Sequence, residues 1–421
     1  MTYTDLATPA NTSKLLAEYY HDVKAELNSI LDYWMRNTHD PVYGGFIGRV
    51  DENNIPDREA PKGAVLNARI LWAFSAAYKI TNNPDHLHLA RIAFNYLVGH
   101  FVDKEYGGVY WTVDAAGHPR DTKKQIYALA FAIYGCSAYY EITKNEAARN
   151  TAVDLYGQIE NHSFDKNFTG YLEAFTRDWK PIDDLRLSAK DANEKKTMNT
   201  HLHVLEAYTS LYHIWPDETL GNQIKQLIHN FSDHIVDAEM GHLLLFFDEQ
   251  WNKKSGVISY GHDIEAAWLL LEAAEMLQNN LLIEKIKSLS IKVGLAATEG
   301  LDKDGGLWYE KEGNNGHIIK EKHSWVQAEA MIGFLNHWQL TSDEAFLEKS
   351  LESWRYVSEF IKDKAYGEWL WGRNGDGSPM QQQDKVGIWK CPYHNSRACI
   401  EIIKRLQPFV NSGQPIRVIN H

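Results

Sequence analysis

Two kinds of helix alternate along the chain, and they differ in how their apolar residues are distributed. Thr219–Val236 carries apolar residues at one-turn spacing, which is typical of a helix with one buried and one solvated face. Ile264–Leu277 is apolar almost all round, so we expect it to be buried. Leu281–Val293 repeats the first pattern, whereas Ala64–Tyr78 and Gln125–Tyr139 repeat the second. The pattern predicts an outer layer of striped helices around an inner layer of buried helices.

A glycine followed by aromatic and aliphatic residues recurs between the helices. The leading glycines are Gly44, Gly107, Gly170, Gly241, Gly305 and Gly367, and their spacing is 62 to 71 residues. Such a glycine suits a tight turn that opens a short strand. The fixed period indicates a repeated supersecondary unit. The one long interval contains a charged stretch, Arg177–Lys196, which we interpret as an inserted loop.

Six repeats with one striped and one buried helix each predict an all-α fold of twelve helices. Two concentric rings satisfy this pattern, as an (α/α)6 barrel with short β-hairpin segments at the active-site end. An open solenoid of helix pairs has the same local pattern and is the alternative. No Pro/Gly/Ser-rich linker divides the chain, so we expect residues 1–421 to form a single catalytic domain. If the helices alternate in direction, the inner ones all begin at one end, where their dipoles create a positive field.

Composition narrows the classes of function. The net charge of −13, with no basic stripe, argues against nucleic acid and anionic membranes as partners. No apolar run approaches the roughly 20 residues of a membrane helix, and Met1–Lys14 lacks the apolar core of a signal peptide. We therefore expect a cytoplasmic protein. Three cysteines, Cys136, Cys391 and Cys399, are too few for a disulfide framework or a four-cysteine zinc site.

Polar and aromatic residues cluster near the starts of the buried helices, and all six of these helices contribute. The candidates are Arg69, Tyr127, Asn199, His203, His262, Glu265, Trp268, Trp325, Glu329, Trp389 and His394. Asn199 and His203 are four residues apart and so share a helix face, as do Trp325 and Glu329. His201 lies between the first pair, points elsewhere, and is expected to be structural. One pocket at one end of the barrel would collect all the candidates.

Several kinds of chemistry fit this set. Three histidines could bind zinc, but none has His-x-x-x-His or His-Glu-x-x-His spacing, so we expect no metal. Glu265 and Glu329 could serve as the carboxylate pair of a glycoside hydrolase. Arg69 on an apolar helix needs a partner, which could be Glu265, Glu329 or a developing oxyanion on a substrate. Trp325 and Trp389 either fill the core or stack on sugar rings.

The segment Trp389–Asn395, with Arg397, resembles the cellobiose 2-epimerases of the N-acylglucosamine 2-epimerase superfamily, as do Met198–His203 and His262–Trp268. The resemblance extends over the whole chain. It implies an (α/α)6 barrel, no metal or nucleotide cofactor, and a disaccharide substrate epimerised at C2 of its reducing glucose. It also implies functional roles for all the candidates named above. N-acylglucosamine 2-epimerases and aldose–ketose isomerases of the superfamily are the alternatives.

Inverting C2 of an aldose requires a proton to leave one face of the carbon and another to arrive at the opposite face. Two histidines suit this task, because imidazole has an ordinary pKa of about 6.5. Our hypothesis assigns the exchange to His262 and His394, while His203 helps to open the sugar ring. Arg69 and Asn199 would stabilise the enediolate.

The other candidates would support this chemistry. Glu265 would orient His262 or pair with Arg69, and Trp325 and Trp389 would stack on the sugar rings. Since only protons move, no redox cofactor is needed. We expect a monomer, with a dimer as the alternative.

Overall fold

The computed structural model describes residues 9–313 and 316–412, and within them twelve α-helices alternate between two layers. In chain order they are α1 (Pro9–Asn37), α2 (Ala64–Thr81), α3 (Pro84–Tyr96), α4 (Ile126–Thr143), α5 (Glu146–His162), α6 (Met198–Ile214), α7 (Glu218–Asn230), α8 (Tyr260–Met276), α9 (Asn280–Ala297), α10 (Ser324–Thr341), α11 (Glu344–Tyr356) and α12 (His394–Ser412). The odd-numbered helices are outer and the even-numbered helices are inner.

The inner helices form a closed ring. Each contacts the next along the chain, from α2 round to α12, and α12 in turn contacts α2. The outer helices pack on this ring, with α1 lying against α12 and α3, α5, α7, α9 and α11 each lying against the inner helix that precedes it. The chain therefore folds as an (α/α)6 barrel, as the pattern predicted. The open solenoid was the wrong alternative, because the last repeat meets the first.

The two helix types have the predicted burial. About three quarters of the residues of α4 and α8 are buried, whereas α7 buries one stripe that includes Leu220, Ile224, Leu227 and Ile228. The striped segment predicted to end at Val236 leaves the α conformation earlier, at Asn230. A π-helical turn, Phe231–Ile235, follows α7. Similar π-helical turns follow α3 at Leu97–Phe101 and α11 at Val357–Ile361. None of the helices in these described ranges has the length and hydropathy needed to span a membrane.

Short antiparallel strands join neighbouring repeats. They are β1 (Arg49–Val50), β2 (Pro56–Asp57), β3 (Lys62–Gly63), β4 (Thr112–Val113), β5 (Pro119–Asp121), β6 (Lys124–Gln125), β7 (Ala174–Phe175), β8 (Lys196–Thr197), β9 (Phe246–Phe247), β10 (Ile258–Ser259), β11 (Glu310–Lys311), β12 (Ile318–Ile319), β13 (Lys322–His323) and β14 (Gly372–Arg373). They pair as β1–β2, β3–β4–β5, β6–β7, β8–β9, β10–β11–β12 and β13–β14. In five of these sheets the first strand leads directly into an inner helix and pairs with a strand of the next repeat. The sheets thus tie adjacent repeats together at the end where the inner helices begin.

The six leading glycines make the tight turns that the motif predicted. All of them have a positive φ, between 74° and 86°, a conformation that side chains with a Cβ rarely adopt. Each turn returns the chain from the end of an outer helix into a short strand.

Buried lysines, each paired with an aspartate, fix five of these six turns to the barrel. Asp40 accepts hydrogen bonds from the backbone N–H groups of Val42 and Tyr43 in the turn, and its other oxygen lies 2.8 Å from Nζ of Lys62. The same pairing recurs as Asp103–Lys124, Asp165–Lys196, Asp302–Lys322 and Asp363–Lys385. Four of these five lysines stand directly before an inner helix, and the pairs therefore set where those helices begin relative to the turns. Nothing in the hydrophobic pattern or the motifs indicated these pairs.

Candidate active site

A cavity of about 560 Å³ opens at the end of the barrel where the inner helices begin, and all six of these helices contribute to its wall. Nine of the eleven predicted residues line it: Arg69, Tyr127, Asn199, His203, His262, Glu265, Trp325, Trp389 and His394. The indole of Trp325 contacts two of the imidazoles, with ring centroids 4.8 Å from His262 and 5.5 Å from His394. Imidazoles that are far apart in the chain thus share one chamber.

Carboxylates on the inner helices hold two of the histidines. Nδ1 of His203 lies 2.9 Å from Oε2 of Glu206, and Nδ1 of His394 lies 2.8 Å from Oε1 of Glu329. An ionised carboxylate only accepts hydrogen bonds, so each neutral imidazole must carry its proton on Nδ1. Nε2 of both rings then bears the lone pair, and among the described residues it has no hydrogen-bond partner. This is the arrangement that a general base requires.

His262 is held differently, by a hydroxyl group. Its Nδ1 lies 2.8 Å from Oγ of Ser259, which can either donate or accept. Both tautomers, and the imidazolium, are therefore compatible with this contact. Burial lowers the pKa of His262 to about 4, and burial together with nearby Arg69 and Arg397 holds the pKa of His394 well below its ordinary value. Both imidazoles are consequently neutral at about pH 7.

Beneath the histidines lies a buried arginine that the sequence analysis quoted only as part of a motif. Arg397, on α12, is 1% exposed. Its Nη1 donates to Glu206 and to the hydroxyl of Tyr393, while its Nη2 donates to Glu265 and, over 2.7 Å, to Glu329. Burial alone would raise the pKa of Glu206, but Arg397 and the His203 contact lower it to about 2. Burial raises the pKa of Glu329, and Arg397 acts against this rise. One guanidinium therefore binds carboxylates from three inner helices and offsets part of their charge.

Two predicted substrate contacts lie behind the wall rather than on it. Trp268 and Glu329 are not among the described residues that line the cavity. Nε1 of Trp268 donates to Oε2 of Glu329 over 3.2 Å, and the indole lies against the guanidinium of Arg397. Both side chains contact Arg397 behind the cavity wall, and they therefore support the residues that face the cavity.

Arg69 has different partners from those we expected. Its Nη2 donates to the hydroxyl of Tyr127 over 2.8 Å, and its Nη1 lies 3.8 Å from Sγ of Cys391. The guanidinium also lies over the rings of Phe131 and Tyr393. The expected ion pair with Glu265 or Glu329 was wrong, because Arg397 takes both carboxylates. Arg69 keeps its charge at the cavity wall without a carboxylate partner there.

His201 is structural, as expected. Its Nδ1 donates to the carbonyl of Thr197 over 2.6 Å, and its Nε2 accepts from the backbone N–H of Tyr171 over 2.8 Å. It therefore joins the start of α6 to the preceding hairpin.

The contacts of the carboxylates disfavour both a metal site and a glycoside hydrolase. Ligand atoms of Glu265, Glu329 and His394 lie within 4.8 Å of one another, close enough to hold a metal ion. The guanidinium of Arg397 already bonds to both carboxylates, so a dication there would have to displace a buried cation. The same contacts disfavour a glycoside hydrolase, whose two carboxyl groups must flank the scissile bond with substrate between them.

The inserted loop provides cavity residues that the sequence analysis missed. Residues 185–192 and Glu194 line the chamber, on the irregular stretch that joins β7 to β8. The loop is anchored near its start where Arg177 binds Asp103, and its middle is held by Gln125, whose side-chain amide donates to the carbonyl of Leu185. Its length and charge distinguished it in the sequence, but its position over the cavity was not predictable from those features.

Aromatic and acidic residues after Gly305 complete the outer part of the cavity. They include Tyr309, Glu310, His323 and Trp371. The rings of Tyr309 and His323 stack with centroids 4.0 Å apart, and burial raises the pKa of Glu310 to about 7. Flat aromatic faces next to hydrogen-bonding groups are well suited to a sugar.

Comparison with known proteins identifies the class. The N-acylglucosamine 2-epimerase (GlcNAc 2-epimerase) family model matches residues 44–398, and the chain belongs to this family. The protein is therefore a carbohydrate epimerase.

Its place within the family is with the cellobiose 2-epimerases, as the resemblance in the sequence indicated. The chain is 48% identical over 383 residues to the cellobiose 2-epimerase of Bacteroides fragilis, covering 91% of this chain and 98% of that protein. It is 39% identical over 382 residues to the cellobiose 2-epimerase of Dictyoglomus turgidum, covering 90% and 96%. A solved structure of the Bacillus thermoamylovorans cellobiose 2-epimerase matches with a TM-score of 0.89 and 39% identity, covering 92% of this chain and 100% of that one.

Proposed function

We propose that the enzyme inverts C2 of the reducing glucose in β-1,4-linked disaccharides such as cellobiose and lactose, forming the mannose epimer. The observation that carries this proposal is the meeting of His203, His262 and His394 in one cavity. The names of the relatives described above supply the substrate class. A cavity of about 560 Å³ is within the range of small-molecule sites, and its outer aromatic residues offer faces for a second sugar ring.

Inversion follows from two imidazoles that act on opposite faces of C2. In the forward direction, Nε2 of His394 takes the C2 proton from the open-chain aldose, and Glu329 stabilises the imidazolium that forms. His262 is neutral at rest, so it must first take up a proton from solvent; as the imidazolium it delivers this proton to the other face of the enediolate and becomes neutral, and His394 later releases its proton to solvent. Because its pKa is about 4, protonated His262 is a strong donor. In the reverse direction the two histidines exchange roles.

Other cavity residues assist the intermediate. His203, oriented by Glu206, would help to open the hemiacetal and hold the C1 oxygen. Arg69 and Asn199, together with the N-termini of the inner helices, would stabilise the negative charge on the enediolate oxygens. Trp325 and Trp389 would hold the sugar rings by stacking. Reprotonation of the same intermediate at C1 would give a 2-keto sugar as a minor product.

The other sugar isomerase activities of the family share this chemistry, so substrate choice separates them. The relatives with 36–48% identity over most of the chain carry the name cellobiose 2-epimerase, whereas the mouse N-acylglucosamine 2-epimerase is 23% identical. This difference supports a disaccharide substrate over an N-acylated monosaccharide.

The direct experiment is incubation with cellobiose, lactose or N-acetylglucosamine in heavy water, with separation of the sugars and location of the deuterium. We expect the mannose-containing epimer of each disaccharide, with deuterium at C2. An unlabelled product would instead indicate a hydride or retro-aldol route. His394→Asn is expected to lower the rate of deuterium incorporation by a factor of at least about 100 while leaving sugar binding largely intact.

The matched control is His118→Asn, since the side chain of His118 is 77% exposed and lies outside the cavity. It should retain full activity. Near-normal turnover by the His394 variant would contradict the two-histidine assignment.

We extend the proposal to three further properties. Activity should survive EDTA, because Arg397 supplies the positive charge at the carboxylate cluster. We propose a cytoplasmic enzyme that acts as a monomer, with a dimer as the alternative, and light scattering in solution tests the oligomeric state.

A further inference from the structure

Arg397 is linked to two of the three cavity histidines, in each case through one glutamate carboxylate. On one side its Nη1 donates to Glu206, whose other oxygen holds Nδ1 of His203. On the other side its Nη2 donates to Oε1 of Glu329, and that same oxygen lies 2.8 Å from Nδ1 of His394. Arg397 itself is not among the described residues that line the cavity.

The charge balance of this cluster depends on the arginine. Without it, Glu206, Glu265 and Glu329 would be three buried carboxylates in close proximity, and such groups do not all ionise at neutral pH. A protonated Glu329 could donate to Nδ1 of His394 rather than accept from it. The imidazole would then carry its proton on Nε2, and it could not remove a proton from a sugar.

We propose that Arg397 is a positioning residue for the epimerisation: it keeps the carboxylates of Glu206 and Glu329 as acceptors and so fixes the Nδ1-protonated tautomer of His203 and His394. The effect on epimerisation rests on the proposed function, whereas the effect on the tautomers of His203 and His394 does not.

Titratable and charged groups face this centre from every inner helix. They include Arg69 on α2, Tyr127 and Tyr134 on α4, His203 and Glu206 on α6, His262, Glu265 and Glu272 on α8, Glu329 on α10, and His394 and Glu401 on α12, with Cys391 and Tyr393 just before it. Burial opposes the charge of Arg397, but Glu329, Tyr393, Glu206 and Glu265 together raise its pKa further above the ordinary value. The arginine therefore remains a cation, and any titration in the cluster falls on the carboxylates and imidazoles.

The test compares Arg397→Gln with Arg405→Gln. Arg405 lies two turns further along α12 and donates to Asn336 and Gln339, away from the cavity. For Arg397→Gln we expect kcat at pH 7 to fall about 100-fold with KM changed less than about threefold, and to recover at least about tenfold by pH 9 as the carboxylates ionise. Arg405→Gln should keep the wild-type kcat and pH profile.

A second readout does not depend on turnover. In protein labelled with ¹⁵N-histidine, the signals of His394 are assigned by their loss in His394→Asn. Wild-type His394 should show a protonated Nδ1 and an unprotonated Nε2 at pH 7, and Arg397→Gln should shift the population towards protonated Nε2. A purely structural role would lower the folded fraction, measured by circular dichroism, without moving the pH profile or the tautomer.

The proposal is overturned if folded Arg397→Gln keeps the wild-type kcat, or loses activity equally at pH 7 and pH 9 with the tautomer of His394 unchanged. If that variant does not fold, Arg397→Lys carries the test, because it keeps the charge but places only one nitrogen at the centre. We expect it to lose about tenfold in kcat, and an unchanged kcat and tautomer would again overturn the idea. If the wild-type enzyme proved inactive on disaccharides, the proposed function would fail, while the tautomer measurement would still decide the role of Arg397.

Discussion

At the scale of single residues, the three cavity histidines differ in the group that is hydrogen-bonded to Nδ1. Carboxylates hold Nδ1 of His203 and His394, whereas the hydroxyl of Ser259 holds Nδ1 of His262. A carboxylate favours one tautomer and stabilises the imidazolium, while a hydroxyl favours neither strongly. His394 is accordingly suited to accept a proton, and His262 to alternate between giving and taking one.

Removing the hydroxyl partner of His262 should affect turnover more than binding. For Ser259→Ala we expect kcat to fall about tenfold with little change in KM, because the imidazole loses its fixed orientation but keeps its burial. Steady-state kinetics on the epimerisation of cellobiose measures this change. Ser255→Ala, in the loop that precedes β10 and outside the cavity wall, is the control. A KM effect without a kcat effect would show that the hydroxyl serves the substrate instead.

A buried histidine outside the chemistry should make the fold sensitive to acid. Burial lowers the pKa of His201 to about 3, whereas the unfolded chain has an ordinary pKa near 6.5. Between these values the unfolded state binds the proton and the folded state does not, so this residue reduces the free energy of unfolding by about 1.4 kcal/mol per pH unit as the pH falls. Equilibrium urea denaturation between about pH 7 and pH 5 measures the slope. His201→Gln should be less stable at pH 7 but show a shallower slope, and an unchanged slope would contradict the assignment.

At the scale of elements, the aspartate–lysine pairs couple five of the six glycine turns to the barrel, four of them through the strand before an inner helix. Their two partners are about 20 to 30 residues apart, and aspartates and lysines are common throughout the chain. Nothing in the hydrophobic pattern distinguishes these residues from surface charges. The helices and the glycine turns were predictable because each depends on neighbouring positions. The pairs were not, because they depend on how the turn and the following strand meet.

Breaking one of these pairs should cost far more than breaking a surface pair. Lys62→Met leaves the buried carboxylate of Asp40 with only a longer contact, 3.8 Å to the half-exposed Arg58, and we expect a loss of about 3–5 kcal/mol in the free energy of unfolding. Lys180→Met is the matched control, because Lys180 is exposed and its partner Asp178 is only partly buried, and its cost should be far smaller. Urea denaturation at pH 7 compares the two. Equal effects would show that the buried lysine contributes little beyond its apolar stem.

At the scale of the whole molecule, the ring closes where α12 meets α1 and α2. Every inner helix has two inner neighbours, so no repeat can leave without exposing apolar surface on both sides. We expect one cooperative unfolding transition, in which tryptophan fluorescence and far-ultraviolet circular dichroism report the same midpoint. Separate midpoints would show that part of the ring unfolds by itself, as in an open array of repeats.

The repeat that builds the whole molecule also determined which cavity residues could be predicted from the sequence. The period of the glycine turns and the positions of polar residues at helix starts predicted nine of the cavity residues, because both follow from the repeat. The role of Arg397 was not predictable, since its partners lie on three other helices, up to 191 residues away along the chain. The path of the inserted loop over the cavity was not predictable either, because irregular chain has no period.

Closure also has a consequence for the newly made chain. His203 and His262 emerge from the ribosome well before His394, whose helix is the last of the described elements and completes the inner ring. A product that stops short of this helix would lack His394, to which we assign proton transfer, and Arg397, which binds carboxylates on three other inner helices. Translation must therefore pass this helix before the proposed chemistry can begin, and copies terminated before it would be inert toward sugars.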